Sequence, residues 1–273
     1  MSIAIPGTSF RAVVLAGERP GGSDFSRELG LAASVLVDVA GKSAVARVIE
    51  ALELSASVDG GVLCGPQESI YLEQSEFQKI LKNSSFSWLP PESGPSASAV
   101  AAVRHINRFP VLLTAGDHAL LLPEIVDDFC SAALKTEADI VFGVTPYALV
   151  KAAYPDSKRT VSKFSNGQFC GTNLFALLTP EAAAGPDFWR QVEADRKRPW
   201  RIARKFGIGM LLRYLLGRLS LEDALDTLAS AIACKVGYVV IENPRAAVDV
   251  DTVADRDLAE KILLEDQGSV ANI

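Results

Sequence analysis

From Arg11 to Val144, short and largely apolar runs alternate with segments of helical length and periodicity, and this restricts the chain more than any other feature. Arg11–Ala16 (RAVVLA), Val58–Cys64, Phe86–Leu89, Pro110–Thr114 and Asp139–Val144 read as strands. Lys42–Leu54, Ser75–Lys82, Ser96–Asn107 and Pro123–Leu134 read as helices between them. A strand with no polar face is buried on both sides, and helices placed between such strands cover both faces of a mainly parallel sheet. The expected fold class is α/β: a three-layer, mostly parallel sheet with helices on both faces.

After Lys158 the pattern changes. Shorter strands, Thr160–Phe164 and Gly171–Leu178, flank an Asn166-Gly167 hairpin turn. Helical patterns follow over Glu181–Asp195, Trp200–Phe206, Met210–Leu216 and Ser220–Ala233, the last opened by Ser220 with Asp223 three residues on. Strand Val236–Ile241 and a final helix capped by Thr252 close the sequence. This reads as one domain over 1–273 carrying a helical insertion over 180–235.

At 49% hydrophobic and 22% charged residues, the chain holds enough apolar material for a packed core, which argues against disorder. The richest apolar stretch, Ile208–Leu219, is broken by Arg213 and Arg218, so no transmembrane segment is expected. The N-terminus lacks a basic region followed by an apolar core and a small-residue cleavage site, which makes a cytoplasmic location the expectation. Cys64, Cys130, Cys170 and Cys234 have no closely spaced partner and read as buried small hydrophobes. With only His105 and His118, a multi-histidine metal site is excluded. A cation would have to rest on carboxylates, which suits magnesium.

Charge is unevenly spread. Arg196–Leu219 holds eight basic residues and no acidic one, leaving 19 basic against 33 acidic residues in the other 249. One cationic strip on an acidic body points to a phosphate-rich ligand, an anionic surface or an acidic partner rather than to nucleic acid. The same arginines equally suit a solvated face paired with neighbouring carboxylates. Leu211, Leu212, Leu215, Leu216 and Leu219 line one helical face, favouring core packing or a homodimer contact over membrane adsorption.

Three places carry chemistry. The first strand runs into Ala16 and Gly17-Glu-Arg-Pro-Gly21-Gly22, and glycines after a buried strand let backbone N–H groups approach phosphate oxygens. Their spacing gives neither the dinucleotide fingerprint nor a Walker A loop; a tight surface loop is the plainer alternative. In LLTAGDHALLLPEIV, Asp117 stands where a buried strand ends, beside the ligand crevice of an open α/β sheet. It is a metal-ligand candidate or a turn aspartate. In AVDVDT, Asp249 and Asp251 alternate with valine, so both carboxylates project from one side of an extended segment; they repel unless a cation or solvent separates them.

Taken together, VVLAG with its glycine loop, LVDVAGKSAVARVIEAL, LLTAGDHALLLPEIV, GTNLFAL and DVDTVADRDL resemble the MobA-like nucleotidyltransferases of the sugar-nucleotide pyrophosphorylase superfamily. The resemblance implies a GT-A-type, nucleotide-diphospho-sugar transferase fold. It implies a magnesium-dependent enzyme moving a nucleoside monophosphate from an NTP to a small phosphorylated acceptor, with pyrophosphate released. It assigns Ala16, Gly17, Gly21, Gly22, Ser34, Ser96 and Ser98 to the nucleotide, with Arg27 and Asp117 catalytic. The metal falls to Asp117 with Asp249 or Asp251, and the acceptor to Lys158, Arg159, Lys163 and Asn173. Ser34 stands where the family carries a lysine, leaving Lys42, Arg19 or Arg27 to supply the positive charge. The alternative is a nucleotide or nucleotide-sugar binding protein without catalysis. An oxidoreductase is disfavoured by the missing nicotinamide fingerprint.

Overall fold

The computed structural model describes residues 8–19, 21–194 and 208–270. Ten strands appear among them: β1 Phe10–Leu15, β2 Asp38–Val39, β3 Lys42–Ser43, β4 Val58–Cys64, β5 Phe86–Leu89, β6 Val111–Ala115, β7 Ile140–Pro146, β8 Ser162–Phe164, β9 Gly167–Leu177 and β10 Val236–Val240. The helices are α1 Asp24–Glu28, α2 Ala44–Leu54, α3 Glu68–Glu73, α4 Ser75–Lys82, α5 Pro95–Ile106, α6 Pro123–Ala133, α7 Tyr147–Ala153, α8 Ala184–Ala194, α9 Ile208–Leu215, α10 Leu221–Ile232 and α11 Val253–Val270.

Seven strands lie in the order β10-β7-β9-β6-β1-β4-β5, with β8 paired to β9 at the side. All neighbours in that row run parallel except β9, which is antiparallel to both β6 and β7. The two sides of the sheet are visible in the register of β1. Phe10, Ala12, Val14 and Ala16 join one buried cluster with α2, α4 and α6, while Val13 joins another with Ala102 and Val103 of α5 and Ile232 of α10. Period-2 alternation with both sides apolar is what a central strand under two helical layers requires. The mostly parallel α/β sheet expected from the sequence is therefore the fold.

Several boundaries differ from the sequence reading. Lys42 and Ser43 pair with Val39 and Asp38 as a two-residue ribbon, and the helix starts only at Ala44 with Ser43 in the N-cap position. α1, α3 and α7 are helices of 5, 6 and 7 residues, too short to show periodicity. Leu211, Leu212, Leu215 and Leu216 are exposed, by 44 to 70%, so the core role for that leucine face does not hold; only Leu219 is buried. α9 runs beside the body and meets it through Tyr214 against Phe164 and Arg213 against Asp223, contacts that leave its leucines uncovered. The helix expected over Trp200–Phe206 lies outside the described residues. No helix among the described residues is long and apolar enough to cross a membrane.

A third cluster sits under one end of the sheet. It joins Phe25 of α1, Val37 and Val39, Ala119 and Leu120 after β6, Val248 and Val250, and Ala259 and Ile262 of α11. Segments distant in sequence are thereby packed on a common floor.

Candidate functional site

β1 is level with both its neighbours, Leu15 standing opposite Ala115 of β6 and Cys64 of β4. After β1 the chain leaves towards β4 and β5 and then returns on the far side of β1 as β6. The carboxyl ends of β1 and β6 are thus the topological switch point, where open α/β sheets form their ligand crevice. Gly116 lets the two ends close up. A Cβ there would lie 3.2 Å from Val35 and 3.3 Å from the Ala16 methyl group, tighter than ordinary packing.

One wall of the crevice is the loop after β1. Gly21 and Gly22 both take left-handed φ angles, 83° and 79°, a conformation that costs glycine little. Ser23 and Ser26 then form a capping box that starts α1. Arg27 turns back on this loop, donating to the Gly21 and Gly22 carbonyl oxygens at 3.3 and 3.2 Å and pairing with Asp24. Glu18, Arg19, Gly21, Gly22, Ser26, Arg27 and Gln67 line a cleft of about 500 Å³.

The wall on the β6 side of the switch point is acidic. Val250 N–H donates to the Asp117 carbonyl oxygen at 3.0 Å, which sets Asp249 and Asp251 on either side of that contact. The buried Val248 and Val250 side chains belong to the floor cluster, while Asp249 between them and Asp251 after them stand outside it. Asp117 Oδ1 is buried with no hydrogen-bond partner among the described residues. Burial, then the charges of Asp251 and Asp249, push the Asp117 carboxyl up to about 7. Asp251 is exposed to solvent. Its pKa is also raised, by partial enclosure and by Asp249, against the opposing pull of Arg159 and Arg19.

Asp249 is differently placed. Arg159, 6% exposed, bonds Asp249 Oδ1 at 2.5 Å and pairs with Asp255 at the start of α11. Asn173 Nδ2 reaches Asp249 Oδ2 at 3.4 Å. Asn173 is aimed by an irregularity in β9: the register against β7 shifts between Phe142 and Val144, and Asn173 itself takes φ 52°. Gly143 faces this bulge, where a Cβ would stand 2.3 Å from Thr172 Oγ1. Three of the positions sequence reasoning put forward (Asp249, Arg159 and Asn173) therefore form one polar cluster beside Asp117.

The remaining candidates lie around these walls. Ser96 and Ser98 are buried in the first turn of α5, and Ser98 Oγ accepts from Glu92 N–H at 2.9 Å. Lys158 and Lys163 are exposed, the second on β8. Lys42 pairs with Glu50 at 2.6 Å, while Arg19 lines the cleft and acts electrostatically on Asp251. His118 is buried, and burial lowers its pKa to about 4, against the opposing pull of Asp249 and the Arg245 backbone, so the ring is neutral at pH 7 and packs in the floor. All four cysteines are free and buried.

Sequence reasoning missed Glu18, whereas Arg19, put forward as one stand-in for the family's lysine, does line the cleft. Glu18 gives no pattern signal, because a carboxylate inside a glycine loop looks like a surface residue until the amides around it are placed.

Among the described residues, no three His, Cys, Asp or Glu side chains are set as a ready cation cage. A pair of carboxylates is still a suitable donor set for magnesium, which takes one or two carboxylates together with substrate phosphates. The partnerless Asp117 oxygen fits that use.

A mostly parallel sheet with a glycine loop and an aspartate at its switch point defines an open α/β fold with its ligand crevice at that place. The chain belongs to the family of the MobA-like NTP transferase domain, whose model matches residues 12–164. A hypothetical transferase from Thermus thermophilus has 28% identity and a TM-score of 0.77, covering 91% of this chain and 100% of its own. A CMP:2-keto-3-deoxy-manno-octonic acid synthetase solved with CTP has 12% identity and a TM-score of 0.57 over 95% of this chain and all of its own. A 4-diphosphocytidyl-2C-methyl-D-erythritol synthase from Anaerococcus prevotii has 12% identity and a TM-score of 0.54, covering 94% and 96%. The last two share the fold. No curated protein matches the chain.

Proposed function

We propose that the protein transfers a nucleoside monophosphate from an NTP to a small phosphorylated acceptor and releases pyrophosphate. The observation that supports this reading is the Val250–Asp117 backbone bond, which brings Asp251 close enough to act on Asp117, next to Gly116 packed against Ala16 at the head of the glycine loop. An oxygen of the acceptor phosphate attacks the α-phosphorus; the bond from that phosphorus to the oxygen bridging to the β-phosphate breaks, and pyrophosphate leaves with the electron pair. Positioning and charge neutralisation supply most of the rate in such in-line transfers. A magnesium ion, held by Asp117 and Asp251, supplies neutralisation of phosphate charge when bound.

The chain's own residues supply the rest. The backbone of Ala16, Gly17, Gly21 and Gly22 lines the triphosphate path, with Arg19 and Arg27 as its cations; Ser96 and Ser98 border the base side. Arg159, already engaged by Asp249 and Asp255, acts by positioning the 249–251 segment. Lys158, Lys163 and Asn173 are left to face the acceptor. The cytoplasm, where NTPs are made, is the compartment this reading implies.

A binding protein without catalysis is the second reading, favoured by Ser34 in place of the family lysine. A pyrophosphate-release assay over four NTPs and a panel of sugar phosphates separates the two. Release that depends on both substrates supports transfer; tight NTP binding with no release for any acceptor supports the second reading, and Ser34→Lys then gains turnover.

A further inference from the structure

The loop after β1 already holds an anion, and it belongs to the chain. The Glu18 side chain, 7% exposed, accepts from three backbone N–H groups: Arg19 and Ser23 on Oε1, both at 3.0 Å, and Ser34 on Oε2 at 2.6 Å. Its own carbonyl oxygen is fixed by Gln67 Nε2 at 2.8 Å. Among the described residues Glu18 forms no ion pair, so its charge is answered by amides. Convergent backbone N–H groups make an anion-binding concavity that takes carboxylate or phosphate oxygens alike. Ser34, one of these donors, is the residue standing in the family's lysine position. The Glu18 carboxylate and a triphosphate at the cleft mouth would therefore call on the same donors.

We propose that Glu18 is an internal competitor for the triphosphate, filling the amide cradle of the free protein and being displaced when a polyphosphate binds. The proposal rests on the NTP reading above and goes beyond it: binding is an exchange of one anion for another, which weakens affinity and discriminates against ligands with too little negative charge to expel a carboxylate. A nucleoside monophosphate makes the exchange poorly; a triphosphate makes it best.

Glu18→Gln is the test, because it keeps the side chain's shape and one acceptor oxygen while removing the charge. Tripolyphosphate, AMP, CMP, GMP and UMP, and the four corresponding NTPs are titrated calorimetrically against wild type and variant, with melting temperature as the check on folding. The expected result is at least about tenfold tighter tripolyphosphate and NTP binding in Glu18→Gln, since bonds to a charged acceptor are worth more than neutral ones, and a narrowed gap between mono- and triphosphates. Equal or weaker binding by a folded variant overturns the proposal while leaving the NTP reading intact. If folded wild type and variant bind neither tripolyphosphate nor any NTP, both readings fall. Should the variant not fold, amide NMR of the wild type decides: titration with tripolyphosphate moves the Arg19, Ser23 and Ser34 resonances if the anions exchange, and a titration that saturates without moving them overturns the idea.

Discussion

The two walls of the crevice solve opposite electrostatic problems, and only one is solved inside the chain. On the loop wall three amides converge and a carboxylate, Glu18, answers them. On the acidic wall Asp117 Oδ1 is buried and feels Asp249 and Asp251, and Arg159 answers Asp249 while Asp117 Oδ1 has no hydrogen-bond partner among the described residues. The protein thus leaves one buried site wanting positive charge and fills its site for negative charge with a side chain. A ligand that brings a cation and a polyphosphate together would satisfy the first and replace the second, which is what a metal–nucleotide complex is.

The contrast can be broken most sharply at Asp117. Asp117→Asn is expected to lower turnover by about 10²–10³-fold, yet to raise stability at pH 8 by about 2–4 kcal/mol, because it removes a charge that burial disfavours. Denaturant melts check the second half. The sign follows from the raised carboxyl: the unfolded chain releases this proton near pH 3.8 and the folded chain near 7. Wild-type stability therefore falls as pH rises from about 4 to about 7 and flattens above, and the asparagine variant loses that component. Added magnesium is expected to raise the wild-type melting temperature at pH 8 and leave the variant unmoved.

Breaking the solved part of the acidic wall has the opposite effect on stability. Arg159→Ala leaves Asp249 and Asp255 without their shared counter-charge and is expected to cost about 3 kcal/mol, read as a lowered denaturation midpoint; lysine, which cannot span both carboxylates in the same way, recovers only part. Gly143→Ala should cost about 1–3 kcal/mol by forcing Thr172 out of the β9 bulge. Acceptor KM is expected to rise through the displaced Asn173. The smallest effect belongs to α9: Leu215→Ser and Leu216→Ser are expected to change stability by no more than about 0.5 kcal/mol, because neither side chain is packed.

What the sequence shows and what it hides follow the same division. The parallel core was legible because RAVVLA and its counterparts have no polar face and must be covered on both sides. Asp117 stood out as a charge at the end of an apolar strand and the Asp249/Asp251 pair as carboxylates alternating with valine, but their meeting was not legible, since it depends on the floor cluster that gathers Val250, Ala119 and Val39 from across the chain. The leucines of α9 misled because a helical stripe records amphipathicity and says nothing about whether a partner surface is present. Glu18 was hidden for the converse reason: its role lies in main-chain amides, whose directions depend on turns that the sequence does not spell out.

The central claim is that Asp117 and Asp251 and the glycine loop form one site for a metal-bound triphosphate. Its most direct test is calorimetric titration of each NTP into wild type and Asp117→Asn, with magnesium and with excess chelator. The account predicts saturable binding of at least one NTP by wild type that weakens about tenfold or more when magnesium is removed, and a variant in which magnesium makes no difference. Equal affinity with and without magnesium in the wild type would contradict it.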